Sequence, residues 1–274
     1  MKDKVVNKVE LSMNNNISRA VRWRLALAGL ALLSQGAQAE TLRFGIDPAY
    51  PPYEYKLPSG KLAGLDIDIG NALCAAAHVQ CEWVEGSFDG LIAGLQSRKF
   101  DAINSSLAAT PARRAVIDFT APLYPADIRL VASKGSHLIP NTTSLAEKRI
   151  GVLQGSSQAA FANRNWATHG VIVVSYPDQN SVYVDLASGR LDGTIVVGAA
   201  ARLGFLAKPE GKNFEVAGAP IVDPVLMSAS SVIGVRKGDA RTLQMLDAAL
   251  AQLKQNGTLE HLLAQHLGNE SAAK

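Results

Sequence analysis

The sequence predicts an α/β protein with largely parallel strands, arranged as two α/β units. Three observations carry this. Strand-like and helix-like runs alternate from Leu42 to Thr110. The alternation restarts at 149-RIGVLQGSSQAAF-161 as strand, glycine turn and helix. Two stretches, near Tyr124–Arg129 and Pro220–Leu226, read as a crossing from the first unit to the second and a return. Alternation of this kind is what βαβ units and parallel sheets require.

In order, Leu42 to Ile46 reads as a strand, Asp66 to Ala77 as a helix with apolar spacing and Gln80 to Glu85 as a strand. Phe88 to Ser97 follows as a helix and Asp101 to Ser105 as a strand. A helix is expected from Pro111 onward, because Thr110 is a good N-cap and proline suits the first helical position. Arg113 and Arg114 then fall in the first turn, where the helix dipole disfavours cations. That misplacement suggests that one of them has another task. In the second unit, 171-VIVVSY-176 and 194-TIVVG-198 read as buried strands, with helices over Ser181–Ser188 and Gly198–Leu206. Thr242 to Asn256 is an amphipathic helix closed by Gly257, and a short helix ends near Leu267. There is no low-complexity segment and no short repeat.

The first 39 residues stand apart. The segment 22-RWRLALAGLALLSQGAQAE-40 has an arginine-flanked start, an apolar run from Leu25 to Leu33 and Ala37-Gln38-Ala39 before Glu40, the pattern of a cleaved secretory signal peptide. The apolar run is too short for a bilayer, which needs roughly 20 residues. Met13 is an alternative start, and no cysteine follows the cleavage site to take a lipid. This leader holds six of the 27 basic and two of the 24 acidic residues, leaving 21 and 22 in the mature chain, a net charge of −1. The basic character of the full chain therefore belongs to the leader, and no nucleic-acid surface is expected. An exported, periplasmic protein fits an oxidising compartment, where Cys74 and Cys81 can bridge a helix end to the next strand; two free buried thiols are the alternative.

Catalytic signatures are missing: there is no G-x-S-x-G, no P-loop and no H-E-x-x-H, and the five histidines are scattered. No metal site and no cofactor are expected. A binding constellation remains. The run 151-GVLQGSSQ-158 leads a strand through a glycine turn into a helix start whose N–H groups can hold an anion, or can simply be capped by Ser156 or Ser157. Arg113 offers a planar fork for a carboxylate, or an ion pair to Asp118. The loop 47-DPAYPPYEY-55 follows the first strand, where α/β proteins commonly bind ligands, or is a rigid connector. Phe88 lies at a helix start, and a core role is its plainer reading.

These residues carry a resemblance. The stretches 64-GLDIDIGNALC-74, 88-FDGLIAGL-95, 100-FDAINSSL-107, 150-IGVLQGSSQ-158, 186-LASGRLD-192 and 255-QNGTLE-260 resemble the periplasmic solute-binding proteins of polar amino-acid ABC importers, most of all their lysine/arginine/ornithine-binding and histidine-binding members. The similarity runs from about Thr41 to Gly268. It implies the two-lobed type II periplasmic-binding-protein fold, with lobes at 40–127 plus 222–274 and at 128–221, joined by two crossing strands and closing over a ligand. It implies a monomer whose partners are a small amino-acid-like ligand and a membrane permease. Carried over by position, Arg113 clamps the ligand α-carboxylate, helped by Ser156, Ser157 and the turn around Gly155. Tyr50 and Phe88 sandwich the ligand side chain. Asp47 meets a distal cation, with Ser105 and Gln158 nearby, Ser106 offers its carbonyl and Leu153 lines the second lobe. Cys74 and Cys81 match the family disulfide.

Two positions depart from the pattern. Ala108 stands where the basic amino-acid binders have a serine, and Val197 where they have an aspartate; both of those side chains accept from the ligand α-ammonium. Burying an ammonium without an acceptor costs several kcal/mol. The expected ligand is therefore a cationic, arginine-type amino acid or derivative whose α-nitrogen is substituted, absent or displaced, such as an opine or a guanidino acid, unless Glu54 or water replaces the missing acid. Two other classes compete. Dehydratases of prephenate or arogenate use the same scaffold but need a cleft acid to protonate a leaving hydroxyl, which Ala108 and Val197 do not supply. Receptor sensory domains continue into a membrane helix, whereas this chain stops at Lys274.

Overall fold

Strand β1 (Thr41–Ile46) buries Leu42, Phe44 and Ile46 and turns Thr41 outward, the alternation of a strand with one face on a core. The computed structural model in which it is seen describes residues 40–268. The leader read at 1–39, with its cleavage site and alternative start, lies outside the described residues. After β1 come a short antiparallel ribbon of β2 (Ala49–Tyr50), β3 (Glu54–Lys56) and β4 (Leu62–Ala63), the helix Leu65–Ala76 and β5 (Gln80–Glu85). A single 3₁₀ turn at Phe88–Gly90 runs into the helix Leu91–Gln96, followed by β6 (Ala102–Ala108), β7 (Ile117–Phe119) and β8 (Tyr124–Pro125). The chain then enters a second sheet through β9 (Ile128–Ser133), β10 (Arg149–Leu153), β11 (Ile172–Tyr176), β12 (Gly193–Val197) and β13 (Phe214–Ile221), and returns to the first as β14 (Ser230–Arg236).

The first sheet has the order β5-β1-β6-β14-β7, with β8 also on β14; the second has the order β11-β10-β12-β9-β13. In each, three neighbouring strands are parallel and the rest antiparallel. This corrects the expectation of largely parallel strands. β9, β13 and β14 were missed because they abut the crossing and return segments. Apolar periodicity marks a strand but does not say which way it pairs. The two connections that pass between the sheets, β8 to β9 and β13 to β14, give the two-lobed architecture.

Other boundaries shift for local reasons. Strand β6 runs three residues past Ser105 because Leu107 and Ala108 pair with Val232 and Ser231 of β14. The helix expected from Pro111 onward ends at Arg114, a single turn, so it has little dipole and the argument from misplaced cations loses its force. The helix expected from Ser181 begins at Gln179, where the Asp178 carboxylate accepts from Ser181 N at 2.8 Å. The segment Ala200–Leu206 is wound as a π-helix. The amphipathic helix spans Ala240–Gln255, capped by Asp239, and packs with Thr258–Leu267 against Leu65–Ala76. Cys74 and Cys81 form a disulfide that ties the end of that helix to β5. No helix among the described residues is long and apolar enough to cross a membrane.

Candidate functional site

The carboxyl ends of the parallel strands converge on one cleft between the sheets. Asp47 follows β1, Ser105, Ser106 and Ala108 end β6, Leu153 ends β10 and Val197 ends β12. This is where open α/β sheets place ligands. Strand β6 bends there: its register against β14 slips between Val232 and Gly234, and Ser106 has a φ of 43°. A non-glycine residue in that region costs energy and needs outside support. The support is Asp66, whose carboxylate accepts from Ser106 N at 2.6 Å and Tyr124 Oη at 2.6 Å, while its carbonyl accepts from Asn104 Nδ2 at 2.7 Å. The bend turns Ser105 and Ser106 toward the cleft.

The cleft contains two linked cavities. The larger, about 380 Å³ when space open to solvent is included, is lined by Asp47, Tyr50, Glu54, Phe88, Ser105, Ser106, Leu153, Ser156, Gln158, Gln179 and Ile195. The smaller, about 320 Å³, shares Phe88, Ser106 and Gln158 and adds Ala108, Arg113, Ser157, Val197 and three serines of the return segment, Ser228, Ser230 and Ser231. Every residue assigned to the ligand from the sequence thus borders one cavity or the other.

The site is electrically polarised. Arg113 is 8% exposed. Its guanidinium donates to Ala108 O at 2.8 Å and, across the cleft, to Gly155 O at 3.0 Å, and lies 5.4 Å from the Phe88 ring centre. Burial pushes its pKa down to about 10, because a charge without water or a counter-ion is disfavoured. The alternative partner Asp118 is bonded instead to Lys237 Nζ at 2.7 Å. Among the described residues, no ion pair involves Arg113 or Asp47. The Asp47 carboxylate accepts from Phe88 N at 3.3 Å, yet burial raises its pKa to about 6. A buried cation thus borders the small cavity, and a buried acid without a cation borders the large one.

The second sheet contributes a lid of backbone and small side chains. Ser156 caps the helix Ser157–Asn165 by accepting from Ala159 N at 3.0 Å, the plainer of its two readings, while still bordering the large cavity. Ser157 Oγ donates to Gln158 Oε1 at 3.1 Å. Hydrogen bonds that cross the mouth of the cleft include Arg113 to Gly155, Gln154 Nε2 to Asp89 Oδ2 at 2.8 Å, and Val197 N to Tyr50 Oη at 3.2 Å. Gly155 has a φ of 73°, and a Cβ there would lie 2.7 Å from Asp89 Cα. Only glycine permits that approach. Neither Cys74 nor Cys81 lines either cavity.

Residue-level reading missed Gln179, Ile195 and Ser231 as wall residues and weighed Glu54 only as a substitute acid. Gln179 and Ile195 carry a positional signal, since they lie just past β11 and within β12. Ser231 carries none, because β14 itself was missed. Its hydroxyl and that of Ser106 are buried without a hydrogen-bond partner.

Comparison with known proteins agrees with the two-lobed fold. Residues 42–269 match the family of bacterial extracellular solute-binding proteins, family 3. The chain is 43% identical over 242 residues to the lysine/arginine/ornithine-binding periplasmic protein of Escherichia coli, covering 88% of this chain and 93% of that protein. It is 39% identical over 251 residues to the histidine-binding periplasmic protein of Salmonella typhimurium, covering 92% and 95%. Among solved structures, a periplasmic binding protein of Salmonella typhimurium described as highly specific for arginine superposes with a TM-score of 0.78 at 27% identity, covering 84% of this chain and all of that one.

Proposed function

Because the chain belongs to the bacterial extracellular solute-binding proteins of family 3, we propose that it captures an arginine-type cationic amino acid or derivative and delivers it to the permease of an ABC importer. The observation that carries this is the polarised cleft, with buried Arg113 at one cavity and buried Asp47 at the other. A ligand with a carboxylate at one end and a cation at the other would neutralise both, and neither has an ion-pair partner among the described residues. The relatives' printed names support the ligand class: lysine, arginine and ornithine for one, arginine for the solved structure. The aromatic walls Tyr50 and Phe88 suit a flat guanidinium or an aliphatic stem between them. We place the lobes at 40–127 with 222–274 and at 128–221, and the protein in the periplasm as a monomer after loss of residues 1–39.

Contacts from both sheets make closure depend on ligand. Arg113 comes from the first and Ser157 from the second, so a carboxylate between them favours the closed state over the open one. The closing turn can be tested. Gly155→Ala forces a side chain into Asp89 and into a left-handed backbone costing about 1 kcal/mol. Arginine affinity, measured by calorimetry, should fall roughly tenfold or more; unaltered affinity would mean that this contact is not part of the bound state.

Ligand identity is tested by a thermal-shift panel of arginine, an N-substituted arginine and 4-guanidinobutyrate, since a ligand that binds only the native state raises the melting temperature. Arginine-type ligands should raise it, and uncharged amino acids far less. No shift with any of the three would sink the assignment. Within the class, Val197 and Ala108 border the Arg113 cavity where a carboxylate and a hydroxyl would hold an α-ammonium. That favours 4-guanidinobutyrate or the N-substituted compound over arginine, and arginine binding tightest would overturn this finer reading.

A further inference from the structure

Behind Asp47, the wall of the large cavity is Glu54, 1% exposed. Its Oε1 accepts from Ser105 Oγ at 2.8 Å. The same serine hydroxyl oxygen accepts from the Asp47 backbone N–H at 3.1 Å, so Ser105 ties Glu54 to the main chain at Asp47. Its Oε2 is buried and meets no N–H or O–H donor. The charged neighbour that acts most strongly on Glu54 is Asp66, itself a fully buried acid whose oxygens already accept from Tyr124 and Ser106. Two neighbouring buried carboxyls cannot both be ionised at reasonable cost, and sharing one proton is the ordinary solution. Asp66 is the one held ionised, by its two donors, leaving the proton on Glu54.

We propose that Glu54 is a proton-exchanging carboxyl of the binding site: neutral against Asp66 in the empty cleft, ionised against the distal cation of a bound ligand, so that capture of a cationic ligand expels a proton. This rests on the arginine-type reading above. The proton leaves the Glu54 carboxyl for solvent, and the ligand's cation is held in the large cavity by Glu54 and Asp47. The surroundings fit. The titratable groups facing Glu54 are the acids Asp47 and Asp66 and the phenols Tyr50, Tyr53 and Tyr124. His266, bonded to Asp68 at 2.7 Å, acts on Asp66. Burial and Asp66 hold the Glu54 pKa well above its usual range.

The sign follows. A raised pKa in the empty protein and a lower one in the complex mean that the complex binds fewer protons, so affinity rises with pH while the empty cleft still holds Glu54 neutral. In the ligand-free protein the same group stabilises the fold at low pH, and that contribution is lost as pH rises through its folded value. The ligand-induced shift in melting temperature therefore grows with pH.

Calorimetry of the mature protein with arginine at neutral pH, in phosphate and in Tris, reads the proton directly, because the two buffers have different ionisation heats. The expected result is release of about one proton per arginine in wild type, and none in Glu54→Gln. Glutamine is the neutral mimic: its carbonyl can still accept from Ser105 and its amide can donate to Asp66, so this variant should fold. It should bind arginine at least tenfold more weakly, with an affinity indifferent to pH above 7, where Asp47 is ionised throughout. A binding heat independent of buffer in wild type, or an unchanged affinity in Glu54→Gln, overturns the proposal while leaving the ligand class standing. No binding of any cationic ligand by wild type removes the ligand class and this inference with it.

Discussion

Arg113→Ala should weaken arginine binding about a hundredfold or more, while the ligand-free protein melts no lower than wild type. Truncating one partner of a buried, hydrogen-bonded charge pair costs about 2–5 kcal/mol, and each 1.4 kcal/mol is tenfold. The second half of the expectation separates a binding role from a structural one. In the empty cleft Arg113 donates to two backbone carbonyls and sits near Phe88, with burial holding its pKa down to about 10. It is a cation kept out of water without a carboxylate, which is a cost to the fold rather than a gain. Its removal leaves Ala108 O and Gly155 O short of one donor each, a loss of about 1 kcal/mol apiece that the relief of desolvation offsets. Arg113→Lys should recover part of the affinity, because it keeps the charge and gives up the planar fork. Affinity within threefold of wild type in the alanine variant, measured by calorimetry, would remove the carboxylate clamp from the mechanism.

Arg113 is also where sequence and structure part most instructively. In the sequence Arg113 stands out because two arginines fall at an expected helix start. The helix proved to be one turn long, closed by Val116 N to Arg113 O at 3.0 Å, so that argument was unsound although it drew attention to the right residue. The sounder signal was chemical: a fork-shaped cation just past the carboxyl end of a strand. Runs rich in β-branched and aromatic residues located β1, β5, β10, β11 and β12, but only β1, β10 and β12 are well buried: β5 and β11 are edge strands, and β11, expected as a buried strand, leaves Ile172 exposed. Such runs could not show that β14 would slot between β6 and β7, since that pairing joins residues more than 110 positions apart. With β14 unseen, Ser231 stayed invisible. Glu54 was visible as an acid, but its meaning depends on Asp66, which arrives from a different element and takes up the donors that would otherwise leave Glu54 ionised. Pairwise chemistry between distant segments is where single-sequence reading stops.

Val197→Asp should raise arginine affinity tenfold or more and lower the affinity for 4-guanidinobutyrate. Val197 is 4% exposed and ends β12 beside the Arg113 cavity, which no carboxylate lines among the described residues. An α-ammonium entering that cavity would meet the Arg113 cation and the partnerless hydroxyls of Ser106 and Ser231, with no anion of the protein beside it, in a place where an unpaired charge costs several kcal/mol. An aspartate at 197 supplies the missing charge. Its backbone N–H can go on donating to Tyr50 Oη, a bond now 3.2 Å long that does not involve the side chain. For a ligand lacking the α-amine the new carboxylate is an uncompensated repeat of the ligand's own charge, so the two affinities should move in opposite directions. In the empty protein the buried acid lowers the melting temperature, less than it would elsewhere because Arg113 lines the same cavity. The ratio of the two affinities is the decisive quantity, because a general loosening of the cleft would lower both. If arginine binding does not improve, then the Ser106 and Ser231 hydroxyls already satisfy its ammonium. The substitution of aspartate by valine would then be a change in how the ligand's nitrogen is held, not in which ligand is chosen.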